Sequence, residues 1–455
     1  MTKDLTTGEP SKMLFEFSIP MLFSVMFQQL YNIADSVIAG KYAGVDALAA
    51  VGASYPVTMI FIALATGSNI GCSVLISQLF GAKDYTRMKT AIFTAIRIIV
   101  LLSVLLTLIG IFLCGPMIRA LDTPENIFND ATIYLAIYIW GLIFLFLYNI
   151  CNGVFTALGD SKTPLLFLIV SSVGNVILDD IFVAIFHKGV SGVAWATFIC
   201  QGIAATVSFI TLLKRISRIK TAEKPAYFSW DIFIKISKIA VPSILQQSFV
   251  SIGNLFIQRL VNGYGSTVIA AYSASIKLNT FAIVSFGTIG NAVSTFTAQN
   301  LGAGKKERVR SGWRAGFSIA VMIALPVIVL FFGFGKNMIG IFLEKGASAE
   351  PVLKEGVRFL RIVSPFYLVV LLKLVSDGVL RGADAMKAFM VSTFSDLVLR
   401  VGLSYLFAKG LHLGTTGIWM SWPVGWLAGT VLSLYYYKRG SWNQKSTDNN
   451  QQHTI

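Results

Sequence analysis

Twelve long apolar stretches follow one another along this chain, each bounded by charged residues or by Gly, Pro and Asn, and this leaves few folds open. They lie near 13–38, 48–79, 91–118, 131–157, 164–186 and 190–213, then 235–260, 267–300, 312–334, 357–380, 388–408 and 413–437. A hydrocarbon core about 30 Å thick takes roughly 20 helical residues to cross. No water is present there to satisfy backbone N–H and C=O groups, so each crossing segment closes its own hydrogen bonds as a helix. The expected fold class is therefore an all-α polytopic membrane protein with twelve transmembrane helices. Composition agrees: 13% of the 455 residues are charged, against about 25% in soluble domains. The polar stretch Met1–Lys12 runs straight into the first apolar one, without the short apolar region and small-residue cleavage site of a secretory signal. The first helix is expected to stay in the membrane as an anchor.

The formal charge of +15 does not point to nucleic acid, because the basic residues sit in short loops between apolar stretches. That placement sets membrane orientation. With twelve spans, the side that holds both termini carries 23 Lys and Arg and the opposite side 10. The terminal side is thus expected to be cytoplasmic, in a multi-pass protein of the cell membrane. Arg97, Lys277, Lys373 and Arg400 fall inside spans, and Arg97 is close enough to the cytoplasmic end to snorkel. Cys72, Cys114, Cys151 and Cys200 lie in apolar stretches without metal-ligand spacing and read as small buried hydrophobes.

Folded at the basic segment 214–238, the sequence repeats. Pro20 answers Pro242, Ser77–Ala82 answers Ala298–Ala303, and Gly153, Val154 and Asp160 answer Gly378, Val379 and Asp384. Gly189 and Gly192 answer Gly414 and Gly417, in the same order and at offsets of 221 to 225 residues. Two pseudo-symmetric six-helix lobes are expected, residues 1–222 and 223–455. Six is even, so both lobes enter the membrane the same way, as in secondary transporters whose repeats are related by an axis along the membrane normal.

Carboxylates inside spans demand a reason, since a charge at the bilayer centre costs at least about 2.5–3.5 kcal/mol. In the second half, Lys373 with Asp377 and Asp396 with Arg400 are i,i+4 pairs that read as structural salt bridges. Lys277 has no local partner. In the first half, Asp35 and Asp179 have no basic residue within a turn. Gln28, Asn32 and Asp35 share one helix face, and Ser172, Asn175 and Asp179 another. Carboxylates among carboxamides attract either a hard cation such as sodium or a proton. Pro20, one stretch below Asp35, removes a backbone hydrogen bond and can bend the first span.

At these residues the sequence becomes recognisable. Gln29-Leu30-Tyr31-Asn32-Ile33-Ala34-Asp35, Gly40, Ala47–Gly52, Gln78–Lys83, Leu158-Gly159-Asp160 and Asn175–Asp179 together resemble the multidrug and toxic compound extrusion (MATE) family. The nearest likeness is to its bacterial DNA-damage-inducible-type branch, and it covers nearly the whole chain. The resemblance implies a V-shaped pair of six-helix lobes exchanging Na+ or H+ for small, often cationic amphipathic organic compounds by alternating access. It maps a first-lobe cation site to Asp35, Asn175, Asp179 and Thr197, with Gln28, Asn149 and Asn152 in a polar network beside it. Neutral oxygens from Asn175 and Thr197 favour sodium over a bare proton. Two departures stand out: 235–262 has no Asp or Glu, which argues against a second-lobe cation site of that branch, and Asp180 stands where proline is common.

No cofactor is expected, the partners are a small organic substrate and the lipid bilayer, and the chain is expected to act as a monomer. A lipid-linked oligosaccharide flippase would show several Arg or Lys in first-half spans, where only Arg97 occurs. An intramembrane enzyme would need a metal set or a nucleophile with a base. The three histidines, His187, His412 and His453, lie in loops or the tail.

Overall fold

The computed structural model describes residues 3–38, 45–342 and 349–443, with side chains for 3–32, 49–342 and 350–443. These residues form helices and no strands. The first half holds α1 (Pro10–Ile38), α2 (Val45–Gly81), α3 (Tyr85–Ala120), α4 (Glu125–Trp140), α5 (Leu142–Ala157), α6 (Lys162–Asp179) and α7 (Gly189–Ser217). The second holds α8 (Trp230–Asn262), α9 (Ser266–Gly302), α10 (Lys306–Gly333) and a short α11 (Gly335–Gly340). It continues with α12 (Ala349–Val363), α13 (Tyr367–Gly382), α14 (Met386–Tyr405) and α15 (Gly414–Lys438).

The expected spans are present, but two are broken. Residues 131–157 belong to α4 and α5, which meet at Gly141 with a 47° bend. Residues 357–380 belong to α12 and α13, joined by a 3-10 turn at Ser364–Phe366 that contains Pro365. Among the described residues, ten helices are long and apolar enough to cross a membrane, and the bent α4–α5 pair makes eleven. The twelfth, α15, carries Trp419, Trp422, Trp426 and Tyr435–Tyr437, aromatic rather than aliphatic bulk that lowers its hydropathy.

The repeat is written into the backbone. His187 and His412 both have positive φ (50° and 55°), as do Gly189 and Gly414 (54° and 58°) and Gly159 and Asp384 (75° and 56°). Each pair is 225 residues apart, so the backbone sets Asp384 against Gly159 and not against Asp160, the partner expected from the sequence. Aspartate tolerates this left-handed region better than most residues, so Asp384 can stand where the first half uses glycine. π-helical turns at Asp180–Ile185 and Leu406–Gly410 close α6 and α14 in turn. Asp180, without an assignment from sequence, is exposed and opens the first of these turns.

Packing groups Met1–Asp4 with Ile19–Ile244 as one compact unit, and Leu5–Ser18 with Leu245–Ile455 as the other. The division expected from the repeat, at 222/223, and the packing division therefore differ by two exchanged segments, 5–18 and 223–244. Each exchange ends inside a helix close to a paired proline, Pro20 in α1 and Pro242 in α8. Residues 5–8 are held in the second unit by side chains: Asn300 donates to the Leu5 carbonyl, Lys305 to Thr6, and Arg308 to Leu5, Thr7 and Gly8.

The first unit buries an aliphatic and phenylalanine core that includes Ile76, Phe146, Ile150, Val154 and Phe155, with all four cysteines free and buried. The second buries aromatic side chains instead, with Tyr272 stacked on Trp419 at 5.5 Å and Phe359 edge-on to it at 5.1 Å. Large apolar residues such as Leu101, Phe112, Val170, Leu255 and Val431 stay exposed. Lipid is their solvent, so exposure carries no hydrophobic penalty.

Candidate functional site

In the first unit the polar face of α6 is buried as its spacing predicts: Ser172, Asn175 and Asp179 are all inaccessible, Asp179 completely. Gly189, with its positive φ, turns the chain so that α7 returns beside α6. This brings Thr197 to Asn175, whose Nδ2 lies 3.5 Å from the threonine Oγ1. Asn175 Oδ1 is buried and has no hydrogen-bond donor among the described residues. A buried carbonyl oxygen left bare costs about 1–3 kcal/mol, and a cation is one group that can satisfy it. Between Lys162 and Lys188, and between Lys188 and Lys214, neither helix carries a basic residue.

The remaining first-half residues are placed as follows. Asp35 lies in the last turns of α1, and its side chain falls outside the described residues. Gln28 and Asn32 are exposed, with Asn32 Nδ2 3.5 Å from Gln29 Oε1. Asn149 turns its amide back on its own helix, donating to the Leu145 carbonyl at 2.9 Å. Asn152, one turn on, has a buried Oδ1 with no hydrogen-bond partner among the described residues. Pro20 is inside α1, and its carbonyl accepts from Ser24 Oγ at 3.0 Å. A small cavity opens beside Thr197, lined by Tyr134, Tyr138, Phe198 and Gln201 among others. Sequence spacing did not single out these four: Tyr134, Tyr138 and Phe198 are aromatic residues on apolar helices, which carry no periodic signal of their own, and Gln201 is the lone carboxamide on α7.

The second unit buries a larger charged cluster on α13, α14 and α15. Lys373 Nζ donates to Asp377 Oδ2 at 2.7 Å, the expected pair. Asp377 Oδ1 accepts from Ser392 at 3.0 Å and from Ser433. The second expected pair is not formed: Asp396 and Arg400 make no salt bridge. Asp396 Oδ2 instead lies 4.0 Å from Lys373, and the Arg400 guanidinium sits 4.4 Å from the centre of the Trp422 ring. Cation–π contact with a desolvated tryptophan, worth about 2 kcal/mol, competes with an i,i+4 ion pair here. Lys277 also finds an aromatic partner, 5.6 Å from the Phe342 ring centre. Arg97 reaches back along α3 to the Tyr227 carbonyl and ring, as snorkelling requires.

At the polar turn before α6, Asp160 is buried and collects hydrogen bonds from Lys162 N (3.1 Å), Thr163 N (3.0 Å), Thr163 Oγ1 (2.6 Å) and Arg215. Burial alone would raise its carboxyl pKa; the Thr163 and Arg215 hydrogen bonds and the Arg215 charge outweigh it and hold the group below the usual carboxylate range. Arg215 is 55 residues away, which local spacing could not reveal.

The MatE family profile matches residues 20–181 and 242–406, one block in each half, each starting at a paired proline. A Bacillus subtilis (strain 168) protein described as "Probable multidrug resistance protein YpnP" is 30% identical over 96% of this chain and 97% of its own length. "Probable multidrug resistance protein NorM" of Thermotoga maritima is 22% identical over 96% of this chain and 94% of its own. Among solved structures, one described as "Crystal structure of MATE in the straight conformation" aligns with a TM-score of 0.89 at 24% identity. It covers 96% of this chain and 97% of that one.

Proposed function

Because the chain belongs to the MatE family, we propose that it is a multidrug efflux antiporter, exporting small organic compounds across the cell membrane against a coupling cation. It is a transporter, not an enzyme. The coupling site we assign to Asp35, Asn175, Asp179 and Thr197 of the first lobe, with Gln28, Asn32, Asn149 and Asn152 as polar neighbours. The observation that carries this is the buried Asn175 Oδ1, bare among the described residues, one turn before the buried Asp179 carboxylate, on an amide whose Nδ2 faces the Thr197 hydroxyl. An oxygen-rich, donor-poor pocket suits a hard monovalent cation, and the neutral oxygens favour sodium over a proton. We read the lobes as 1–222 and 223–455, the termini as cytoplasmic, and the transporter as a cofactor-free monomer without a nucleic-acid partner.

The cation acts by binding one facing state more tightly than the other, since a ligand shifts such an equilibrium only by its differential affinity. Pro20 in α1 gives the helix carrying Asp35 a place to bend as the site fills. The test is transport by the purified chain in liposomes loaded with ethidium, under sodium and proton gradients imposed separately. Sodium-driven efflux is the expected result. Equal efflux with no gradient of either ion would sink the antiport reading.

A further inference from the structure

The two lobes place opposite chemistry at equivalent positions. Moved on by the repeat offset of 225 residues, Asn175 becomes Arg400, Thr197 becomes Trp422 and Asp179 becomes Ser404. Asn152 becomes Asp377 and Tyr148 becomes Lys373. Among the described residues, Asn175 Oδ1 is a bare acceptor, whereas the side chains at its own and the Thr197 equivalents leave bare donors, Arg400 Nε and Trp422 Nε1, beside a bare acceptor, Asp396 Oδ1. The carboxylate has moved across the cluster, and a lysine has come with it.

That lysine stands among oxygens. Lys373 Nζ lies 2.7 Å from Asp377 Oδ2, 3.5 Å from Thr393 Oγ1 and 4.0 Å from Asp396 Oδ2. Room for it is built into α15. A Cβ on Gly429 would fall 2.7 Å from Lys373 Cε, and one on Gly425 would fall 2.8 Å from Asp396 Oδ1 and 2.9 Å from Arg400 Cβ. Lys373, Asp377, Asp396 and Arg400 are all at least nine-tenths buried, and their formal charges cancel.

We propose that Lys373, supported by Arg400, is a tethered cation filling the place a mobile one would take in the second lobe, so that the coupling cation binds in the first lobe alone. A free cation entering this cluster would leave a buried net positive charge, which low-dielectric surroundings oppose. This rests on the cation-coupled reading of the first lobe, and the following count separates the two.

Sodium bound per chain is measured with radioactive sodium on the purified protein at pH 8. In a background with both Asp35→Asn and Asp179→Asn the expected count is zero, because the first lobe has lost its carboxylates and the second-lobe cluster carries its own cation. Adding Lys373→Met removes that cation and leaves one uncompensated carboxylate, so one sodium per chain is expected to return. Adding Asp377→Asn to Lys373→Met restores neutrality and should abolish the gain. Saturable sodium binding by the chain with Asp35→Asn and Asp179→Asn, or none by a monodisperse chain that also carries Lys373→Met, overturns the proposal. Should the lysine variant aggregate, the count with Asp35→Asn and Asp179→Asn decides alone. Gradient-driven export left intact by Asp179→Asn would instead sink the first-lobe coupling site, and the gain or absence of sodium on removing Lys373 would still be read.

Discussion

At the scale of single residues, function and packing separate cleanly. Asp179 and Asn175 share a buried helix face, yet they should fail differently. Asp179→Asn keeps shape and removes charge, so gradient-driven export is expected to vanish while folded yield in detergent stays near that of the parent chain. Asn175→Ala removes one neutral oxygen, and the sodium concentration for half-maximal efflux should rise about tenfold, corresponding to about 1.4 kcal/mol. An unchanged half-maximal concentration would remove Asn175 from the site. Glycines test packing instead. A Cβ on Gly378 would collide with the backbone carbonyl of Gly290 on α9, whereas one on Gly153 would meet the end of the Asn69 side chain. An amide can rotate away and a helix backbone cannot. Gly378→Ala should therefore lower stability by about 1–3 kcal/mol, read as a lower melting temperature, and Gly153→Ala by less.

At the scale of elements, the turn before α6 behaves as a small electrostatic device. Asp160 satisfies two N–H groups at the start of α6 and ties it to α7 through Arg215. Its carboxyl titrates below the unfolded value of about 3.9. The stabilisation is fully present above that value and is lost as pH falls through the lower folded one. Wild-type melting temperature should accordingly drop on acidification below about pH 4. Asp160→Asn should melt lower at pH 7, by about 3 kcal/mol of stability, and lose less on acidification. Equal acid sensitivity in both would show that the shift contributes nothing. The equivalent turn before α14 uses Asp384 at positive φ instead of Gly159, so one backbone shape is reached through different side chains.

At the scale of the molecule, the topology has a direct test. Single cysteines replacing Lys220 and Lys188, both exposed, should react with a membrane-impermeant thiol reagent from opposite sides of intact cells and inverted vesicles. Labelling of both from one side would end the orientation with cytoplasmic termini. The spans, the repeat and the buried face of α6 were all legible along the chain. Lipid makes strong local demands: long apolar runs, closed backbone hydrogen bonds and polar residues gathered at helical spacing. Those demands act residue by residue, so a linear reading recovers them. The choice of partner was decided only by tertiary structure. Spacing alone offered Asp396 to Arg400 as readily as Asp377 to Lys373. The packed helices gave Lys373 to both carboxylates and Arg400 to the Trp422 ring. Arg215 likewise crosses from α7 to Asp160, and α15 closes on its neighbours at Gly425 and Gly429. Which of two equally spaced charges meets depends on how each helix is rotated and how near small residues let it approach. Those quantities exist only once the helices are packed.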